Sequence, residues 1–202
     1  MLTFKNATLF FGLLMIILTV LDIFGNVNWF FYLALLLTYS FLLFYGSINV
    51  ASGFYMKAIS FGETTSKQIA ITFDDGPADQ FTNKILDLLG EQQVPAAFFC
   101  IGKNIAGREQ LITKIVSLGH VIGNHSHSHH FWFDMYGSAK MEADLQQMNE
   151  ELYRVTGLKP LFFRPPYGVT NPNLAKAVAH LGMIAGGWNI RSLDTVVRIP
   201  KN

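Results

Sequence analysis

The chain has 202 residues, 50% of them hydrophobic, and a formal net charge of +1. That near-neutral balance argues against a nucleic-acid partner, because there is no basic stripe for a phosphate backbone to follow. Cys100 is the only cysteine, so an internal disulfide is excluded and the redox compartment is left open.

The N-terminal part reads as membrane. Between Met1 and Met56 only Lys5 and Asp22 are charged. The apolar run 9–21 (LFFGLLMIILTVL) predicts a helix over about 7–24, and the uncharged run 29–45 (WFFYLALLLTYSFLLFY) predicts one over 29–50. Crossing ~30 Å of hydrocarbon takes about 20 apolar residues, which the second run meets and the first meets marginally. Gly25-Asn26-Val27-Asn28 makes a turn between them, with Trp29, Phe30 and Tyr32 as an interfacial aromatic belt. The expectation is a transmembrane α-hairpin over 1–56, with the lipid bilayer as a partner. A signal peptide is the competing reading of the first run, but no small-residue cleavage pattern follows it. Lys5, Lys57 and Lys67 flank the outer ends of the hairpin, which by the positive-inside rule points the rest of the chain toward the cytoplasm, an assignment that rests on three charges and leaves the side of the membrane open.

From 57 to 202 the sequence is globular. Residues 67–73 (KQIAITF) alternate and are β-branched, predicting a strand that runs into a polar turn, Asp74-Asp75-Gly76-Pro77. Residues 79–89 predict a helix with Phe81, Ile85, Leu88 and Leu89 on one face and Gly90 near its stop. A buried strand follows at 96–101 (AAFFCI), then a helix over 107–118 and a third strand at 121–123. Residues 138–156 predict a long amphipathic helix capped by Ser138 and closed at Gly157. A fourth strand at 161–163, a helix over 171–181 and a fifth strand at 183–188 complete the pattern. Strands alternating with helices imply a parallel sheet or barrel, with ligands at the carboxyl ends of the strands. Four polar clusters obey that rule: Asp74-Asp75, His125 to His130, Arg164 to Tyr167, and Asn189 to Asp194 each follow a predicted strand.

The tract 123–130 (GNHSHSHH) holds four of the six histidines. His125 and His129 are four apart, so one turn of chain brings both imidazoles to one ion, while His127 and His130 diverge and read as bystanders. Catalytic zinc commonly takes three protein ligands and leaves a position for water, so the third should be a carboxylate from another strand end, Asp74 or Asp75. Neighbouring side chains leaving a strand point apart, so one aspartate can ligate while the other faces the water as general base. His120 precedes a strand and His180 lies within a helix; both read as structural.

Three stretches resemble the polysaccharide deacetylase family (carbohydrate esterase family four): Thr72-Phe73-Asp74-Asp75-Gly76-Pro77, His125-Ser126-His127-Ser128-His129 and Arg164-Pro165-Pro166-Tyr167. The resemblance implies a distorted (β/α) barrel whose reaction is hydrolysis of N-acetyl or O-acetyl groups on a glycan such as peptidoglycan or a chitin-like polymer. It implies that Asp75, His125 and His129 hold a divalent metal, zinc first with cobalt, nickel or iron as alternatives. Asp74 would then be the base, Arg164 would hold it, and the Tyr167 main-chain amide would stabilise the oxyanion. Pro165 and Trp188 would line the substrate groove or support the site, and Asp194 would orient the family's catalytic acid.

The family's last motif, which carries an acid histidine, has no counterpart up to Asn202, and the globular part is about two units short of a full barrel. The domain is therefore expected to be incomplete at its C-terminus and weakly active. The alternative is an inactive membrane protein that keeps metal or glycan binding. An unrelated metal amidohydrolase is a third reading, disfavoured by the Arg-Pro-Pro-Tyr context. The place of action expected from these features is a bacterial cell membrane.

Overall fold

In a computed structural model, residues 2–62 and 65–192 are described. Two long helices come first, α1 (Phe4–Phe24) and α2 (Trp29–Ile48). Thr3 and Asn28 cap them by accepting hydrogen bonds from the amides of Asn6 and Phe30. Their mean hydropathy reaches 2.4 and 1.7, and most of their apolar side chains are exposed, so each is long and apolar enough to cross a membrane. The helices are joined at Thr8 and Tyr39, whose hydroxyl oxygens lie 2.8 Å apart, and by the rings of Phe11 and Tyr39 at 5.0 Å. α1 begins earlier than expected and α2 ends two residues sooner, at Ile48, where the chain turns back into the globular part.

Six parallel strands form one sheet in the order β1-β6-β5-β4-β3-β2, one more strand than the sequence predicts. The additional strand, β1 (Ala58–Ile59), pairs with β6 (Ile184–Gly186) through Ala58↔Ala185 and Ile59↔Gly186. Two residues are too few for an alternating pattern to register. The others are β2 (Ile71–Gly76), β3 (Ala96–Cys100), β4 (Val121–Asn124) and β5 (Phe162–Phe163). β2 starts later than expected and carries Asp74 and Asp75 inside the strand, where its register against β3 shifts between Phe73 and Gly76. At that irregularity Asp75 takes a positive φ of 67°.

Helices α3 (Thr82–Glu91), α4 (Glu109–Ser117), α5 (Ser138–Thr156) and α6 (Pro172–His180) cover the sheet. α3 turns Thr82, Leu86 and Leu89 inward and leaves Phe81 and Leu88 exposed, and Gly90 lies within it; the predicted face was rotated by about one residue. Gly137, rather than Ser138, occupies the N-cap of α5, and Gly157 closes it at φ 70°. Met141, Leu145, Met148 and Leu152 of α5 are all fully buried at helical spacing. The first two join Phe133, Phe163 and Leu174; the second two join Phe98, Ile112 and Ile115, so α5 ties two core clusters together. Each such side chain contributes about 1.5–3 kcal/mol on leaving water. Gly123 of β4 is required for close packing, since a Cβ there would stand 2.6 Å from the Phe99 ring.

Candidate active site

The carboxyl ends of β2, β4 and β5 bring the polar clusters together. Asp75 Oδ1 lies 3.5 Å from His125 Nε2 and 3.3 Å from His129 Nε2. All three donor atoms fall within 4.8 Å of one another. His125 is buried, and its Nδ1 lies 2.8 Å from the main-chain oxygen of Arg164. A carbonyl can only accept, so Nδ1 carries a proton and Nε2 is the ring nitrogen turned toward Asp75.

The loop that follows β4 is built to present these rings. Asn124 accepts from the amide of Ser126 and donates to the Leu145 carbonyl and to Asn149. Ser126 Oγ in turn accepts from the amide of His129. Asp144, on α5, accepts from the amides of His127 and Ser128. Neither Asp144 nor Asn149 has a local signal in the sequence, because each acts across the fold from a helix whose periodicity reports only burial.

His127 packs against Gly102, where a Cβ would stand 2.6 Å from its ring. His130 is exposed, with its ring 5.8 Å from that of Tyr136. His120 is buried and its Nδ1 accepts from the Ala96 amide, while exposed His180 pairs with Glu142 at 2.8 Å.

Burial and the His125 charge hold the His129 pKa below its ordinary value. The Asp75 carboxyl is likewise held low, first by hydrogen bonding from His125 and then by the charges of His125 and His129, against burial. Both shifts favour the deprotonated forms that coordinate a cation. Two imidazoles whose Nε2 atoms face one carboxylate fit a divalent metal of the zinc, cobalt, nickel or iron kind.

Asp74 does not join that triad. Its Oδ1 accepts from Arg164 Nη1 at 2.8 Å. Arg164 is 4% exposed and has every side-chain nitrogen engaged: Nη1 also donates to Thr72 Oγ1, Nη2 to the Gly187 carbonyl and Nε to the Gly186 carbonyl. The guanidinium lies 4.1 Å over the Phe99 ring and 5.5 Å from Trp188.

Pro165 is buried behind Arg164, and Tyr167 follows at φ 57° with its ring 4.8 Å from that of His129. Trp188 packs on Gly168, where a Cβ would stand 2.5 Å from the indole. Asp194 lies outside the described residues. Asp75, Ser126, His129 and Tyr167 are four of the five non-glycine residues with positive φ among the described residues. Such backbone strain gathers at sites whose surroundings over-determine them.

Comparison with known proteins defines the class. The polysaccharide deacetylase pattern matches residues 61–186. The chain belongs to the polysaccharide deacetylase family. It is 35% identical over 138 residues to the peptidoglycan-N-acetylmuramic acid deacetylase PdaA of Bacillus subtilis, covering 68% of this chain and 52% of that protein. It is 36% identical over 145 residues to a peptidoglycan-N-acetylglucosamine deacetylase of Bacillus cereus, covering 69% and 50%. Among solved structures, the Bc1960 peptidoglycan N-acetylglucosamine deacetylase superposes with a TM-score of 0.59 at 35% identity, covering 62% of this chain and 58% of that one. The chain spans about half the length of these curated relatives.

Proposed function

We propose that the protein is a membrane-anchored, metal-dependent hydrolase that removes acetyl groups from an amino-sugar polymer of the cell envelope. The observation that carries this reading is the Asp75, His125, His129 donor set beside a separate carboxylate, Asp74, that Arg164 holds. Asp75, His125 and His129 would hold the metal, which when bound would lower the pKa of a coordinated water to roughly 7.

The remaining work belongs to the protein's own groups. Asp74 takes the proton of the attacking water, a contribution of about 10²–10⁴-fold. Arg164 aims that carboxylate by a charge-assisted bond. The Tyr167 amide supports the oxyanion of the tetrahedral intermediate, a donor of a kind worth about 10²–10³-fold elsewhere. Trp188 and Pro165 shape the floor beneath the acyl group, and α1 and α2 hold the domain at the bilayer that carries its substrate.

The test is acetate release from an N-acetylated glycan oligomer by the full chain in detergent, loaded with zinc or cobalt. Release that requires metal and disappears in Asp74→Asn supports the reading. Stoichiometric metal binding without any release overturns it in favour of a binding protein.

A further inference from the structure

We propose that the C-terminal end of α2 is a working part of the active site, with Ser47 and Thr170 as positioning residues for the loop that carries Tyr167. The proposal rests on the deacetylase reading only for its kinetic consequences. The last four carbonyls of a helix have no partner within it. In α2 the Tyr45 carbonyl is taken by the Asn49 amide at 3.1 Å. The next two are taken by a residue 123 and 124 positions away: Thr170 Oγ1 donates to the Gly46 carbonyl at 3.1 Å, and the Thr170 amide donates to the Ser47 carbonyl at 2.9 Å. Ser47 Oγ returns a bond to the Thr170 carbonyl at 2.8 Å. Thr170 is 3% exposed, so these bonds are shielded from water.

The helix end is itself fixed. Gly46 is buried against the ring of Phe54, which leaves no room for a side chain, and the Tyr55 hydroxyl donates to the Leu43 carbonyl at 3.1 Å. The Phe54 carbonyl accepts from the Phe4 amide at 2.9 Å, drawing α1 into the same assembly. On the other side, Thr170 stands three residues after Tyr167. Between them Gly168 donates to the Pro165 carbonyl at 3.0 Å and Val169 to the Pro166 carbonyl at 3.3 Å, both in a turn that holds Tyr167 at φ 57°. Immediately afterwards Asn171 caps α6 and donates to the Asp134 carbonyl at 2.9 Å. The loop is thus pinned at its far end by α6 and at its near end by Arg164, and the apolar helix supplies the clamp in the middle. Such a clamp is what a strained Tyr167 conformation requires.

The test uses the full chain in lipid nanodiscs and reads amide hydrogen exchange at residues 167–170 together with steady-state kinetics. Ser47→Ala, a mild change at a half-buried position, and Thr170→Val each remove one bond; Thr170→Ser keeps the hydroxyl. Exchange at Gly168, Val169 and Thr170 should quicken about tenfold in Ser47→Ala and Thr170→Val, the scale of one lost hydrogen bond, and stay near wild type in Thr170→Ser. Metal content should not change, and kcat should fall with KM within about twofold, since the loop serves the transition state rather than substrate binding. Unchanged exchange in Ser47→Ala, or a Thr170→Ser variant as impaired as Thr170→Val, overturns the proposal. Exchange is read without turnover, so quickened exchange in a protein that releases no acetate supports the clamp while rejecting the deacetylase reading.

Discussion

The Arg164 guanidinium and the His125 imidazole are joined through one residue's two ends: the Arg164 side chain donates to Asp74 at 2.8 Å, while its main-chain oxygen accepts from His125 Nδ1 at 2.8 Å. The proposed base and a proposed metal ligand are therefore set by the same residue. Arg164→Lys should fail to rescue, because a compact ammonium cannot serve Asp74, Thr72 and two carbonyls at once. Arg164→Ala should destabilise the domain by about 3 kcal/mol, the low end for breaking a buried pair, because Asp74 keeps some contact with water. Urea denaturation of the two variants checks both statements.

Removing a ligand should empty the site. His125→Ala and Asp75→Asn should each weaken cobalt binding by more than the 10–100-fold that loss of a mere supporting contact costs, read from the visible absorption of Co(II). His130→Ala should leave it unchanged, since that ring faces Tyr136. Because the His129 pKa is lowered, its neutral form persists to more acid pH than in a free imidazole, and cobalt loading should hold correspondingly lower on the pH scale.

Asp134 gives a pH dependence of opposite origin. Burial raises its pKa from 3.8 to about 6, and its Oδ1 is buried without a hydrogen-bond partner. The unfolded chain ionises first, so stability falls as pH rises from about 4 to about 6 and stays lower above. Asp134→Asn removes that penalty: its Tm should exceed that of the wild type at pH 8, and the difference should vanish at pH 4. Equal Tm values at both pH values would count against it.

Cys100 should be inert while the protein is folded. It is fully buried at the end of β3, and burial together with the Asp74 charge pushes its thiol up to about 12. Little thiolate exists at neutral pH, so a maleimide should label it only after denaturation. Rapid labelling of native protein would show that the β2 and β3 ends open.

The candidate ligand cluster was legible in the sequence, because metal chemistry restricts residue types and the chain places His125 and His129 four apart beside a strand end. Asp75 is separated from Asp74 by the resemblance rather than by spacing; the register shift in β2 at this point, with Asp75 at φ 67°, has no sequence signature of its own. The supports were invisible for a related reason. Asp144 and Thr170 act over 16 or more and 123 or more residues respectively, and a hydrogen bond closed by tertiary folding leaves no periodicity behind. β1 escaped notice because two residues cannot alternate, and the α3 face was misjudged because apolar side chains occur on both sides of that helix.

The bonds between Thr170 and the end of α2 also set a reach. A domain on a flexible tether samples a volume that grows with linker length. Here the catalytic loop is fastened to the apolar helix itself, so on the membrane-anchored reading the leash has no length. On that reading and the deacetylase reading together, the site would work at one fixed standoff from the bilayer, so glycan strands passing close to the lipid would be within its compass and those deeper in the wall would not.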